Sequence, residues 1–283
     1  MIAGRPWEYS AFPVIVSAKR WLSPGFVRVT LAGDALRHFA PWGLDQRIKL
    51  VLPMSDGSTP RFGLEEDPTP HPQQWYTRWK ELPVEERNVL RTYTPAAIRP
   101  DRGEIDVDLF IHEPAGPASA WARSCAVGEE LVITGPDARV GYTGYGIHYT
   151  PDESPRRVLL VGDESAVPAI ANIVAQLPSP ERIDVLLELG DPGDDTLSPV
   201  PAHTHLEIVS RAGVAGEALE AAVARWGERH ARTFVDDPTA YAWIAGETGA
   251  TTRMRRHLTA GLGLDKSRVA FLGYWKLGGP LVG

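Results

Sequence analysis

The pattern of apolar residues changes near the middle of this chain, and that change limits the folds that each half can adopt. In the first half, short β-branched runs end in turns such as Ser-Pro-Gly and Ala-Gly-Asp. Several short strands separated by turns of this kind predict a small antiparallel, Greek-key β-barrel. The predicted strands cover residues 12–21, 26–31, 47–53, 104–112 and 130–135.

The second half alternates strands with helices. Residues 157–162 form a continuous apolar run, which is typical of a strand covered on both faces. Val167, Ile170 and Ile173 then recur at helical spacing. This alternation predicts a parallel α/β sheet. Its other predicted strands are 183–189, 205–210, 240–245 and 269–273, and its other helices are 216–226 and 250–260.

Two stretches lack a regular pattern. Residues 141–157 are rich in Gly, Tyr, Pro and charged residues, and we place the domain boundary there, giving a β-barrel domain over 1–152 and an α/β domain over 153–283. Residues 54–90 are rich in Pro, Asp, Glu and Trp with little periodicity. They predict a long surface insertion in the barrel domain.

Composition excludes several classes of protein. The net charge is −7 and no basic stripe is present, which argues against nucleic-acid binding. No apolar run approaches the roughly 18 residues that a membrane-spanning helix needs, so we expect no stable membrane insertion. Cys125 is the single cysteine, so the chain can form no internal disulfide and hold no iron–sulfur cluster alone. A reducing cytoplasm fits this cysteine content.

The segment 91–121 carries the most specific chemistry. Arg91-Thr92-Tyr93-Thr94 supplies a cation, a flat aromatic ring and hydroxyls, and a strand then runs into a helix start opened by Gly116. This order predicts a flavin site. The aromatic ring would pack on the flavin ring and Thr94 would reach a ring nitrogen and tune the flavin. The arginine and the free N–H groups of the helix would hold the pyrophosphate.

A second chemical site is predicted in the α/β half. Residues 162–166 follow a strand and open a helix, which is where open α/β sheets bind nucleotides. Residues 245–247 repeat that geometry, so the two strand ends could flank one ligand. The G-x-G-x-x-G fingerprint is absent. A flavin-binding barrel followed by a nucleotide domain implies a reductase in which a nicotinamide delivers hydride to the flavin.

Together with Tyr274-Trp275-Lys276 near the C-terminus, these motifs resemble those of the siderophore-interacting proteins. That family comprises cytoplasmic, FAD-dependent ferric-siderophore reductases related in fold to ferredoxin–NADP reductase. The resemblance implies that 1–152 bind FAD and 153–283 bind NAD(P)H. The implied cofactor contacts are Arg91, Thr92, Tyr93, Thr94, Asp108, Phe110, Ile111, His112, Gly116, Pro117, Ala118, Ser119, Trp121, Gly162, Asp163, Glu164, Ser165, Ala166, Ala245, Gly246, Glu247, Tyr274 and Trp275, the last two near the flavin. The family often has an arginine where this chain has Ala96, and Arg99 is the nearest substitute.

The substrate implied by the resemblance is a ferric siderophore, whose complexes are often anionic. We therefore expect a locally basic substrate mouth, with Lys276, Lys49 and Arg139 as candidates. Reduction to ferrous iron would release the metal, because hard oxygen donors hold ferrous iron less tightly. We predict no resident metal site, since His203 and His205 lack a third ligand nearby in sequence.

The nucleotide could be NADPH or NADH. Residues 188–195 are acidic and would repel a 2′-phosphate. Arg211 follows Ser210 at a strand end and resembles the arginine that grips this phosphate in ferredoxin–NADP reductase, so we take it to favour NADPH. Two other functions stay open: a flavin reductase that feeds electrons to a partner protein, and a siderophore-binding protein without turnover. The sequence indicates no oligomeric state.

Overall fold

The computed structural model describes residues 7–58, 62–178 and 180–278. The chain divides into two compact units, Met1–Ile147 and His148–Gly283. The division falls a few residues before the predicted boundary at 152. The reason is that Tyr149 packs edge-on against Tyr241, with 5.3 Å between ring centroids, while the backbone N–H of Thr150 donates to the Tyr241 hydroxyl at 3.4 Å. Residues 148–152 therefore belong to the second unit.

In the described part of the first unit, seven strands form one antiparallel sheet in the order β4-β3-β7-β1-β2-β6-β5. The two edge strands, β4 and β5, are consecutive in the chain and only Thr94 separates them. The sheet must therefore curl until its edges lie side by side, which produces the predicted barrel architecture as a half-barrel. Its strands are β1 (Tyr9–Trp21), β2 (Phe26–Ala32), β3 (Ile48–Val51), β4 (Leu90–Tyr93), β5 (Pro95–Arg99), β6 (Glu104–Phe110) and β7 (Glu130–Pro136).

Apolar and polar residues alternate along the strands, and the apolar ones form the core of the half-barrel. Ile105, Val107 and Leu109 of β6 are fully buried and face the equally buried alternate residues of β2. Each such side chain contributes about 1.5–3 kcal/mol by leaving water. The other face of the same two strands is polar, because Thr30 lies opposite Asp106 and Arg28 lies opposite Asp108.

The insertion at 54–90 contains a helix that the sequence analysis does not predict, α1 (Pro72–Glu81). Its N-cap is His71, whose side chain accepts the backbone N–H of Gln73. Trp75 is 4% exposed and belongs to a second apolar cluster with Val51 of β3 and Val132 of β7. Aromatic residues at 75, 76 and 79 were the available signal, hidden by the surrounding prolines and acidic residues. The helix covers the outer face of the half-barrel.

The second unit is the predicted parallel α/β domain. In its described part, five strands lie in the order β10-β9-β8-β11-β12 and every neighbouring pair is parallel. Strand order reverses between β8 and β11, which makes their carboxyl ends the switch point of the sheet. The elements are β8 (Arg157–Asp163), α3 (Val167–Gln176), β9 (Arg182–Leu189), β10 (Thr204–Ser210), α4 (Glu217–Asp236), β11 (Tyr241–Glu247), α5 (Thr248–Arg256) and β12 (Val269–Trp275).

Helix α4 is longer than the sequence analysis predicts, because it continues past Gly227 to Asp236. A side chain at 227 has no room, since its Cβ would lie 2.8 Å from a methyl carbon of Leu262. Phe234, near the end of the helix, is buried in the core of this unit. Among the described helices of the chain, none is both long and apolar enough to cross a membrane.

Candidate functional site

The predicted flavin motif lies at the seam of the half-barrel, and its residues divide between two faces of β4. Tyr93 pairs with Ile48 and Arg91 pairs with Leu50 on the neighbouring strand. Residues directly opposite each other in an antiparallel pair share a face, so Arg91 and Tyr93 lie on the side of the buried Ile48 and Leu50. Thr92 lies on the other face, where its hydroxyl accepts the Lys49 ammonium at 3.2 Å.

Arg91 and Tyr93 retain surfaces that a flavin could use. The Tyr93 ring is half-buried and packs against the barrel core, and this burial raises the pKa of its hydroxyl to about 12 despite the nearby charge of Arg91. The guanidinium of Arg91 donates to the carbonyl of Leu90 at 2.8 Å, and it forms no ion pair within residues 7–58, 62–178 and 180–278. Thr94 is 6% exposed, at the turn between the two edge strands.

The helix start that follows β6 has the properties of an anion site. Helix α2 (Pro117–Ser124) begins after Gly116 and no side chain caps it. Pro117 has no N–H to satisfy, and Gly116 places no side chain over the first turn. The Ser119 hydroxyl donates to the carbonyl of Phe110 at 3.3 Å, which ties the helix to the end of β6. The residues present therefore fit the pyrophosphate of a bound FAD.

The remaining predicted flavin contacts between β6 and α2 differ in their exposure. Phe110 packs on Phe26 with 5.4 Å between ring centroids, and Ile111 belongs to the barrel core. His112 is exposed and lies beside Gly116, with its ring atoms 3.3 Å from the position of a Cβ there. Ala118 is buried in the same core. The structure therefore leaves Phe110 and His112 as the accessible side chains of the strand end.

Two predicted flavin contacts of the barrel have protein partners that argue for structural roles. Trp121 is buried in the core and its indole N–H donates to Glu129 at 2.6 Å. Asp108 accepts two bonds from Arg28, at 2.6 and 2.7 Å. These partners argue against the predicted flavin contacts of both residues, which stay untested.

Arg99 is held in the same way, which argues against its taking the place of the arginine missing at Ala96. Its guanidinium donates to Asp106 through two bonds of 2.8 Å and to Glu104 at 3.0 Å. Hydrogen bonding to Asp106 and Glu104 raises the pKa of Arg99, against the opposing effect of burial. The residue bridges β5 and β6 as a cross-strand ion pair.

In the second unit, the two predicted strand ends lie side by side at the switch point. Gly162 pairs with Ala245 across β8 and β11, and a carboxylate oxygen of Asp163 accepts the backbone N–H of Glu247 at 3.2 Å. Gly162 has no room for a side chain, because its Cβ would lie 2.4 Å from that of Ala166. The two segments therefore form one continuous surface at the carboxyl edge of the sheet.

Asp163 connects three elements at this edge. It accepts the backbone N–H of Ser165 at 2.9 Å and the indole N–H of Trp275 at 2.8 Å, in addition to the bond from Glu247. Burial raises the pKa of Asp163 to about 6, with the charge of Glu164 adding to the rise and the hydrogen bonds opposing it. Gly246 has φ +145°, and a Cβ there would meet the Asp163 carboxylate at 2.6 Å. This carboxyl group therefore fixes the orientation of Trp275.

Arg211 has partners that the sequence analysis does not foresee. Its guanidinium pairs with Glu164 and, at 2.9 Å, with Glu188. Glu188 is fully buried and also accepts the backbone N–H groups of Gly216 and Leu219 at the start of α4. These ion pairs argue against the predicted phosphate contact of Arg211. An acidic residue at the end of the second strand of an α/β domain was the available signal for Glu188.

The three candidate substrate cations differ in environment. Arg139 pairs with the fully buried Asp137 at 2.7 Å, which gives it a structural partner. Lys49 is half-buried on the face shared with Thr92, and burial lowers its pKa, with the charge of Arg47 contributing. Lys276 is exposed, directly after β12. No group of three or more His, Cys, Asp or Glu side chains among the described residues is arranged to hold a metal ion.

Comparison with known proteins agrees with the division of the chain into two units. Residues 15–140 match the model of a siderophore-interacting FAD-binding domain, and residues 155–278 match the model of the siderophore-interacting protein family. The crystal structure of the siderophore-interacting protein SipS from Aeromonas hydrophila superposes with a TM-score of 0.70 at 26% identity, covering 96% of this chain and 94% of SipS.

Two curated relatives are a mycobactin import protein and a ferric vibriobactin reductase. The mycobactin import ATP-binding/permease protein IrtA of Mycolicibacterium smegmatis is 32% identical over 76% of this chain, but the match covers 23% of IrtA. The chain thus spans about a quarter of the length of the IrtA proteins that it matches. The ferric vibriobactin reductase ViuB of Vibrio cholerae is 25% identical over 92% of this chain and 87% of ViuB. From the two family models, which together span most of its length, the chain belongs to the siderophore-interacting protein family.

Proposed function

We propose that this protein is an FAD-dependent NAD(P)H:ferric-siderophore reductase that releases iron by reducing it from Fe(III) to Fe(II). Membership of the family and similarity to a ferric vibriobactin reductase support this function. A bound FAD supplies the conversion between two-electron hydride chemistry and the one-electron reduction of iron. The chain itself has to bind and orient the reactants.

The observation that carries the proposal is the arrangement of Arg91 and Tyr93 on one face of an edge strand. Arg91 has no carboxylate partner within the described ranges, so its charge is available to a pyrophosphate. Tyr93 offers a ring beside it, fixed by packing against the core. The uncapped start of α2 supplies further N–H donors. A cation, a ring and a helix N-terminus are the groups that FAD binding requires.

The nucleotide would bind at the switch point of the parallel sheet. Gly162 and Gly246 let the adjoining ends of β8 and β11 pack closely, since a Cβ would lie 2.4 Å from Ala166 and 2.6 Å from Asp163. Open α/β sheets bind dinucleotides outside the carboxyl ends of such strands. Asp163 would hold Trp275 in place beside them.

Lys276 is the cation that we assign to the siderophore. It is exposed and forms no ion pair with any described carboxylate, whereas Arg139 is committed to Asp137 and Lys49 donates to Thr92. An unpaired exposed ammonium attracts an anionic complex without first breaking an ion pair. We further place the reaction in the cytoplasm, because the single cysteine, Cys125, is buried and unpaired.

The reductase proposal can be tested with purified protein under anaerobic conditions. Several ferric siderophores are mixed with NADH or NADPH, and ferrous iron is trapped with a chelator. We expect flavin absorbance in the protein and a ferrous signal well above that of free FAD. A colourless protein that neither binds added FAD nor yields ferrous iron would rule the proposal out. A coloured protein that oxidises nucleotide but leaves siderophores intact would point to an electron-accepting partner protein instead.

Two pairs of variants locate the groups involved. Lys276→Gln should raise KM for an anionic ferric siderophore several-fold, whereas Lys266→Gln, exposed before the other end of β12, should not. Arg91→Gln should weaken FAD binding about tenfold or more, since one charge-assisted contact is lost, whereas the exposed Arg20→Gln should leave it unchanged. If the two variants of a pair change KM or FAD binding equally, the assignment of Lys276 or Arg91 to the site is wrong.

A further inference from the structure

Arg211 is enclosed by carboxylates at the carboxyl edge of the second unit. Its two carboxylate partners, Glu164 and Glu188, are 3% and 0% exposed. Glu164 also accepts the backbone N–H of Gly190 at 2.6 Å. One guanidinium thus balances two buried charges and bridges the ends of β8, β9 and β10. Its Nε donor and one Nη2 donor are already used, so the fork that Nε and Nη2 form is occupied by carboxylates.

The helix starts along this edge are capped by the same class of group. Glu188 accepts N–H groups at the start of α4, and Glu247 accepts the backbone N–H of Ala250 at the start of α5. Asp163 accepts the N–H of Ser165 just before α3. The N–H groups of Gly216, Leu219, Ala250 and Ser165 are therefore already paired with carboxylates, which adds negative charge to this edge.

The charged groups around Arg211 carry a net negative charge. Asp191 is exposed immediately after β9, where its side chain accepts the N–H of Gly193. Arg253, on α5, is paired with Glu220 at 2.7 Å. Lys276 follows β12, at the opposite end of the strand order from β10. We call the group Glu164, Glu188 and Asp191 around Arg211 the acidic corner.

We propose that the acidic corner makes this protein selective for NADH over NADPH. The inference rests on the reductase function proposed above, and it names the nucleotide class. In α/β nucleotide domains the adenosine ribose lies at the end of the second strand, which here is β9. A carboxylate at that position accepts a free 2′-hydroxyl, and the exposed Asp191 is placed to do so. A 2′-phosphate would meet net negative charge and an arginine whose charge is already paired with two carboxylates.

Equilibrium binding of the oxidised nucleotides tests the inference without turnover. NAD⁺ and NADP⁺ are titrated into the FAD-loaded protein by calorimetry, and the ratio of the two Kd values is recorded. We expect NAD⁺ to bind about tenfold more tightly or better. Asp191→Asn should narrow this ratio by removing both the hydroxyl acceptor and a repelling charge. Glu164→Gln should also narrow it, because it removes one of the two negative charges that pair with Arg211.

The control is Glu207→Gln, which removes the same charge from a carboxylate that also pairs with two arginines, Arg225 and Arg229. It should leave the ratio unchanged. Equal or tighter binding of NADP⁺ by the unaltered protein would overturn the inference, as would an unchanged ratio in both corner variants. If ferric siderophores are reduced with no nucleotide preference, only the inference fails. If neither nucleotide binds nor reduces the flavin, the proposed function fails with it.

Discussion

Replacing Arg211 with alanine should destabilise the second unit strongly, because it leaves two buried carboxylates without their positively charged partner. Glu188 would keep its bonds from Gly216 and Leu219, and Glu164 would keep its bond from Gly190, but neither would retain a compensating charge. Breaking a buried ion pair from one side typically costs roughly 3–5 kcal/mol. A loss of that size lowers Tm by roughly 10 °C for a domain of this length.

Chemical denaturation in urea, without added nucleotide, measures this loss. Arg229→Ala is the matched control, because Arg229 pairs with Glu207 at 3.2 Å while both side chains are substantially exposed. That variant should lose less than about 1 kcal/mol. The triple variant Glu164→Gln, Glu188→Gln, Arg211→Met should recover much of the lost stability, since it removes the buried charges together.

The two roles considered for Arg211 predict different results. If Arg211 is free in the unliganded protein and binds the phosphate, its replacement would leave the free energy of unfolding nearly unchanged and would weaken only NADP⁺ binding. If Arg211 instead compensates the buried carboxylates, its replacement would lower the free energy of unfolding whichever nucleotide is present. If Arg211→Ala loses no more stability than Arg229→Ala, the structural reasoning about this residue is refuted.

Three further outcomes follow from single positions. Gly162→Ala should destabilise the protein by about 1–3 kcal/mol in urea, because its Cβ would overlap that of Ala166, and wild-type stability would contradict the packing described here. Asp163, whose folded-state pKa is raised from 3.8 to about 6, stabilises the fold most fully below pH 4. Its contribution of about 3 kcal/mol should disappear as pH rises through 6, and Asp163→Asn should remove this part of the pH profile in urea titrations. Arg91→Gln should leave the urea midpoint of the FAD-free protein unchanged, because Arg91 pairs with no described carboxylate, and a marked drop would show a structural role.

Local patterns were enough to predict the architecture of both units. The alternation along Ile105, Val107 and Leu109 and the helical spacing after Gly162 report which side chains are buried, and burial periodicity differs between strands and helices. Helix α1 was missed because its Trp75 packs on the outside of the barrel, a surface that exists only once the sheet has formed. Prolines and acidic residues on either side obscured its periodicity.

The strand ends to which we assign the nucleotide were also readable from the sequence, since turn glycines and strand ends are local features. Gly162 and Gly246 marked two strand ends, and the parallel sheet brings them side by side. The roles of individual charges were not readable. Asp108 and Arg99 looked available in the sequence, yet each is paired across a strand boundary.

The sequence by itself determined the two fold types, the order of the units and the segments to which we assign the chemistry. Only the tertiary structure decided which of the charged side chains in those segments are free. Arg91, on an edge strand, pairs with no described carboxylate, whereas the charge of Arg211 is compensated by Glu164 and Glu188. Periodicity is a property of neighbours along the chain, but charge compensation depends on neighbours in space, and burial makes that compensation obligatory.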